Sequence, residues 1–156
     1  GHRMTLQAGD QAPDFTLLDD SGVPRSLSEY LAKGPVVLFF YPAASTAGCT
    51  AEACHFRDLA AEFDAAGAQR LGISVDDVAK QQAFSQKHGF DYPLLADVGG
   101  KVAADYGVKR GSLMGRLTPV KRATFVIGQD GLIAQVISSE IKMDVHADEA
   151  LKALSR

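Results

Sequence analysis

Val36-Val37-Leu38-Phe39-Phe40-Tyr41-Pro42-Ala43-Ala44-Ser45-Thr46-Ala47-Gly48-Cys49-Thr50-Ala51-Glu52-Ala53-Cys54 decides the fold. Val36 to Tyr41 is apolar at every position, as a central strand covered on both faces must be. Pro42 stops it, because proline has no N–H to give a sheet. A loop of small and polar residues follows. An Ala- and Glu-containing helix then runs from about Gly48 to Ala66. A strand that feeds a loop and then a helix N-terminus is where open α/β sheets place their chemistry. Cys49 falls in the first helical turn, among backbone N–H groups with no intrahelical acceptor and at the positive end of the dipole. Both favour thiolate over thiol.

That help is limited. A thiol of ordinary pKa is only a few per cent ionised at neutral pH, and a helix N-terminus supplies about 0.3–1 kcal/mol. A reactive Cys49 therefore needs a hydroxyl donor, which Thr46 can supply, and a cation from elsewhere in the chain.

Outward from this stretch the pattern is regular. Phe15 to Leu18 and Val23 to Ser26 flank the turn Asp19-Asp20-Ser21-Gly22 and predict an N-terminal hairpin. Ser26 or Ser28 caps a short helix that ends before Gly34-Pro35. Phe56, Leu59, Ala60 and Phe63 recur at helical spacing, and Gly67 closes that helix. Gln69 to Ser74 is the next strand, so strand, helix and strand make a βαβ unit with a parallel pair. Asp76-Asp77 caps a helix to His88, Pro93 to Ala96 is a short strand, and Gly99 to Tyr106 a short helix. Lys109 to Pro119, with Gly111, Leu113, Met114, Gly115 and Leu117, is irregular; it suits a docking surface for a reductant or second subunit as well as a plain loop. Arg122 to Ile127 and Leu132 to Ser138 form a second hairpin, and a helix runs from Asp144 to Leu154. The order predicts an α/β, thioredoxin-like fold: a central mixed sheet flanked by helices, with an N-terminal β-hairpin. Residues 4–156 read as one domain and Gly1-His2-Arg3 as a cloning remnant.

The chain has 156 residues, a net charge of −3 and no basic run longer than two, which argues against a nucleic-acid surface. It shows no membrane span and no signal peptide, so a cytoplasmic location is expected. The two cysteines are not C-x-x-C, and His2, His55, His88 and His146 are scattered, so no four-ligand zinc pattern is present. On one helix, positions 49 and 54 place their Cα atoms about 8–9 Å apart, beyond the ~4.4–6.8 Å of a disulfide. The two can bond only if the helix unwinds locally. Spacing alone fits two small buried helix packers equally well. Taken alone, Arg122 beside Lys121 reads as a solvated strand-edge cation, Thr46 as a helix cap and His55 as a surface or packing residue.

Phe39-Phe40-Tyr41-Pro42, followed by Thr46-x-Gly48-Cys49-Thr50-x-Glu52-Ala53-Cys54-x-Phe56-Arg57-Asp58, closely resembles the Q-type peroxiredoxins, also called the bacterioferritin comigratory protein group. The general peroxiredoxin pattern Pro-x-x-x-Thr-x-x-Cys is complete as Pro42, Thr46 and Cys49. The likeness extends to Gly9-Asp10-x-Ala12-Pro13-Asp14-Phe15, Gly72-Ile73-Ser74 and Arg122-Ala123-Thr124-Phe125-Val126-Ile127. The resemblance implies that Cys49 is the peroxidatic and Cys54 the resolving cysteine, joined in turnover by an intramolecular disulfide. It implies that Thr46 hydrogen-bonds the thiolate and the peroxide, and that Arg122 is the missing cation. Pro42 would shield the pocket, backbone N–H groups at Gly48 and Cys49 would stabilise the transition state, and Glu52 would orient an arginine. The implied substrates are hydrogen peroxide and organic hydroperoxides, with no metal, haem or flavin, and the implied partner is a thioredoxin-type dithiol reductant acting on a monomer or weak homodimer. Ala47 departs from the proline often found there. A thioredoxin-like binding or holdase module with structural cysteines is the alternative, and a protein disulfide oxidoreductase is a third reading.

Overall fold

The structure is a computed structural model that describes residues 4–110 and 119–155; the remnant Gly1-His2-Arg3 and most of the irregular segment Lys109 to Pro119 lie outside them. The described strands are β1 (Thr16–Asp19), β2 (Pro24–Ser26), β3 (Val36–Phe40), β4 (Gln69–Ser74), β5 (Leu94–Ala96), β6 (Ala123–Ile127) and β7 (Ile133–Ser138). The described helices are α1 (Leu27–Leu31), α2 (Ala47–Asp58), α3 (Ala60–Ala65), α4 (Val78–His88), α5 (Lys101–Asp105) and, last in the chain, α6 (Val145–Leu154). The seven strands form one sheet in the order β2-β1-β5-β4-β3-β6-β7. β3, β4 and β5 are parallel, while β1, β6 and β7 join antiparallel. This is the mixed, thioredoxin-like sheet expected from the sequence.

β3 is apolar throughout because it feeds two cores. Val36, Leu38 and Phe40 point to one face with Leu27 and Tyr30 of α1 and Val102 and Ala103 of α5. Val37 and Phe39, with Tyr41 just beyond the strand, point to the other, with Ala53 and Phe56 of α2, Phe84 of α4 and Ala147 and Ala150 of α6. Phe39 stacks on Phe56, ring centroids 4.1 Å apart, which fixes α2 over the strand that precedes it. Gly72 on β4 leaves room for that stack: a β-carbon there would stand 2.9 Å from Phe39 Cζ and 2.8 Å from Leu94 Cδ2.

The local signals largely act as read. Ser26 is the N-cap of α1, its N–H donating to Glu29 Oε1 at 2.7 Å. Asp77 caps α4 by accepting from the Lys80 N–H, and Gly89 ends it in the left-handed conformation. One expectation needs correction. The helix from Gly48 to Ala66 begins one residue earlier and is two helices, α2 and α3, broken at Leu59 (φ −96°, ψ 21°). Tertiary packing explains the break. Arg70 on β4 donates to the Phe56 carbonyl at 2.8 Å, taking an acceptor that a continuing helix uses for itself.

Candidate active site

The connection from β3 to α2 is a tight loop held at both ends. The Ala44 N–H donates to Asp76 Oδ2 at 2.7 Å, and the Ser74 hydroxyl donates to the same oxygen at 2.7 Å. Asp76, read from sequence only as part of a helix cap, is thus the clamp between this loop and the end of β4. Ser45 has φ +66°, the only positive φ among non-glycine residues described. That left-handed residue turns the chain abruptly into α2.

Thr46 is the N-cap of α2, but its side chain caps no N–H. Its hydroxyl donates to the Ala43 carbonyl at 2.8 Å. That hydrogen closes the loop, and the hydroxyl's lone pairs remain as acceptors. The N–H groups of Ala47, Gly48 and Cys49 keep the outward orientation of a first helical turn with no intrahelical acceptor. Pro42 is half-buried at the start of this loop.

Cys49 is only 1% exposed. Arg122, just ahead of β6, reaches across the sheet end and places Nη2 3.3 Å from Cys49 Sγ. Its Nη1 donates to Glu52 Oε1 at 2.6 Å. Its backbone N–H donates to Glu140 at 3.0 and 3.3 Å, and Glu140 also accepts from Arg110. The residue is 6% exposed, so the reading of a solvated edge cation is overturned. The sequence places Glu52 one helical turn after Cys49 on α2, so both share the face that Arg122 meets. Gly48 permits this approach: a β-carbon there would stand 3.3 Å from Arg122 Nη2 and 3.2 Å from Met143 Cε.

The charges are strongly perturbed. Burial pushes the Glu52 carboxyl up to about 8, against the pull of Arg122. Burial works against the Arg122 cation, but Glu52 and Cys49 beside it outweigh that and hold its pKa above the usual value. His146, fully buried on α6, is pushed below the usual imidazole value by burial, against the hydrogen bond to the Ser139 carbonyl. Sequence reading found no partner for His146. It lies with Nδ1 2.8 Å from Thr124 Oγ1 and 3.6 Å from Glu52 Oε2. No local motif announces this, since Thr124, Glu52 and His146 meet only when β6 and α6 pack on α2.

Both cysteines are free, and both sit on the intact α2, five residues apart and so about 140° apart around the axis. Cys54 is partly exposed on a stretch tied down on two sides. The Tyr92 hydroxyl donates to the Ala53 carbonyl, and His55 Nε2 lies 2.8 Å from Asp148 Oδ1 on α6. His55 is thus a link between helices at the surface. Among the described residues there is no cluster of metal-ligating side chains, and no helix is long and apolar enough to cross a membrane.

The model of the AhpC/TSA family matches residues 8–136. A curated Mycobacterium tuberculosis protein with peroxiredoxin in its name is 60% identical over 149 residues, 96% of either chain. The crystal structure of peroxidoxin BcpB from Mycobacterium tuberculosis superposes with a TM-score of 0.91 at 59% identity, covering 98% of this chain and 97% of that one. Peroxiredoxin Q of Xanthomonas campestris superposes with a TM-score of 0.81 at 34% identity, covering 90% and 89%.

Proposed function

The chain belongs to the AhpC/TSA family and is a thiol-dependent peroxidase of the peroxiredoxin kind, and on that premise we propose that Cys49 is the thiol that reacts and Cys54 the one that resolves it. The observation that carries this reading is the guanidinium of Arg122 set 3.3 Å from the Cys49 sulfur and held there by a buried carboxyl. A cation so placed favours the thiolate and is aimed at the charge that develops as the O–O bond breaks.

The Cys49 thiolate attacks the terminal oxygen of hydrogen peroxide or an organic hydroperoxide. The O–O bond breaks, the sulfur becomes sulfenic acid, and the leaving oxygen takes a proton to give water or an alcohol. The N–H groups of Gly48 and Cys49 face the site of attack, Thr46 accepts from the peroxide hydroxyl, and Pro42 covers the loop side. The Cys54 thiol then condenses with the sulfenic acid, releasing water and forming a disulfide. That bond requires the first turns of α2 to unwind, because the helix holds the two positions too far apart. A thioredoxin-type dithiol restores both thiols.

The test is the intact mass of reduced protein after one equivalent of hydrogen peroxide, quenched within seconds. A monomer lighter by two hydrogens is expected for the native chain, and one added oxygen for Cys54→Ser. An unchanged native mass, or an unaltered reaction in Cys49→Ser, overturns the assignment.

A further inference from the structure

Among the described residues the buried cluster holds one permanent cation, Arg122, and two groups that compete to carry the negative charge opposite it, Cys49 and Glu52. Charging both leaves an excess anion out of water, which is costly. What faces the far side of Glu52 therefore decides where the charge rests. Glu52 Oε1 accepts from Arg122, while Oε2 is buried with no hydrogen-bond partner among the described residues. The atom opposite it is His146 Nδ1, at 3.6 Å, with both side chains fully buried.

The hydrogen bonds of His146 settle which ring nitrogen carries no proton. Nε2 lies 2.9 Å from the Ser139 carbonyl oxygen, which can only accept, so the neutral ring carries its hydrogen on Nε2. Nδ1 is then a lone pair, taking the Thr124 hydroxyl at 2.8 Å. An ionised Oε2 would face that lone pair across a dry gap. A proton on Oε2 converts the repulsion into attraction. We propose that His146 is a positioning residue that holds Glu52 as a neutral acid and so leaves the charge of Arg122 to the Cys49 thiolate. Burial of the two groups acts in the same direction, raising Glu52 and lowering His146. Among the described residues, the charged and titratable groups that face the cluster are Cys49 and Glu52 from α2, Tyr41 at the end of β3, Tyr92 just ahead of β5, Arg122 from the lead into β6, Glu140 from the segment after β7, and His146 from α6.

The inference rests on Cys49 being the reacting thiol, but its test needs no peroxide. In the Cys54→Ser background, the rate of Cys49 alkylation by iodoacetamide is followed against pH. His146→Gln keeps an amide for Ser139 and removes the ring lone pair from Glu52. It is expected to move the profile about one unit to higher pH, an alkylation rate about tenfold lower on the acid limb, below both midpoints. Adding Glu52→Gln, which makes that side chain permanently neutral, is expected to reverse the shift. A profile that stays in place in His146→Gln, or a shift that Glu52→Gln does not reverse, overturns the proposal. Should His146→Gln not fold, infrared spectra of the reduced native protein at pH 7 decide. A neutral carboxylic-acid band that Glu52→Gln removes is expected, and its absence overturns the proposal. If the alkylation pattern holds while peroxide fails to react, the peroxidase assignment of Cys49 fails and this charge arrangement stands.

Discussion

Arg122 Nη2 lies 3.3 Å from Cys49 Sγ although 73 residues separate the two in the chain. The pairing exists because β3 and β6 are hydrogen-bonded neighbours, with Phe40 opposite Ala123. The residue that follows β3 into α2 and the residue that precedes β6 therefore emerge at the same end of the sheet.

Arg122→Lys is expected to lower the rate constant of Cys49 with hydrogen peroxide by about 10–100-fold. A lysine keeps the charge but cannot span Glu52 and Cys49 with two prongs of a planar fork. Stopped-flow kinetics at pH 7 check this; a rate within twofold of the native one contradicts it. Arg122→Ala should also lose about 1–3 kcal/mol of stability, because Oε1 of the neutral Glu52 loses its buried hydrogen-bond donor.

Gly48→Ala is expected to reduce peroxide reactivity more than stability. The added methyl would press on Arg122 Nη2 at 3.3 Å and on Met143 Cε at 3.2 Å, so one of them must shift by a few tenths of an ångström. Met143 is the more flexible neighbour, and helix propensity favours alanine over glycine by about 1 kcal/mol. Urea midpoints and peroxide rates measured together distinguish this from a general loss of fold.

Stability is expected to carry a component from Glu52 that falls with rising pH. Its folded-state pKa of about 8 lies above the ordinary value of 4.5. The component is fully present below about pH 4.5, where both states hold the proton, and is lost between there and about pH 8 as only the unfolded chain releases it. His146 acts oppositely: its lowered pKa removes stability as pH falls below the usual imidazole value. The difference between the native chain and Glu52→Gln in urea midpoint against pH isolates the first effect, and a flat difference contradicts it.

Tyr92→Phe is expected to speed formation of the Cys49–Cys54 disulfide after peroxide, by about fivefold. The buried Tyr92 hydroxyl holds the Ala53 carbonyl, one residue before Cys54. Losing a hydrogen bond worth about 1 kcal/mol makes unwinding of α2 easier by that factor. Quench-flow mass spectrometry resolves the sulfenic acid and disulfide species; a slower step contradicts the prediction.

The chain by itself determined the order of elements, the parallel pair around β3 and the place of Cys49. These depend on short-range chemistry: an unbroken apolar run, a proline stop, small loop residues and glycine helix ends. The general need for a cation near Cys49 was also legible, from the small size of the helix-terminus effect. Which cation was not legible from local pattern, since Arg122 beside Lys121 looks like any solvated strand edge, and only the family resemblance pointed to it. Its burial depends on α2 lying over β3 and β6. Tertiary structure alone spent the Thr46 hydrogen on Ala43, broke the long helix at Leu59 and turned Asp76 into a loop clamp. It also brought His146 to the unpartnered oxygen of Glu52. A buried proton's position depends on every group that excludes water around it, and those groups come from α2, β6 and α6, which no window of sequence contains together.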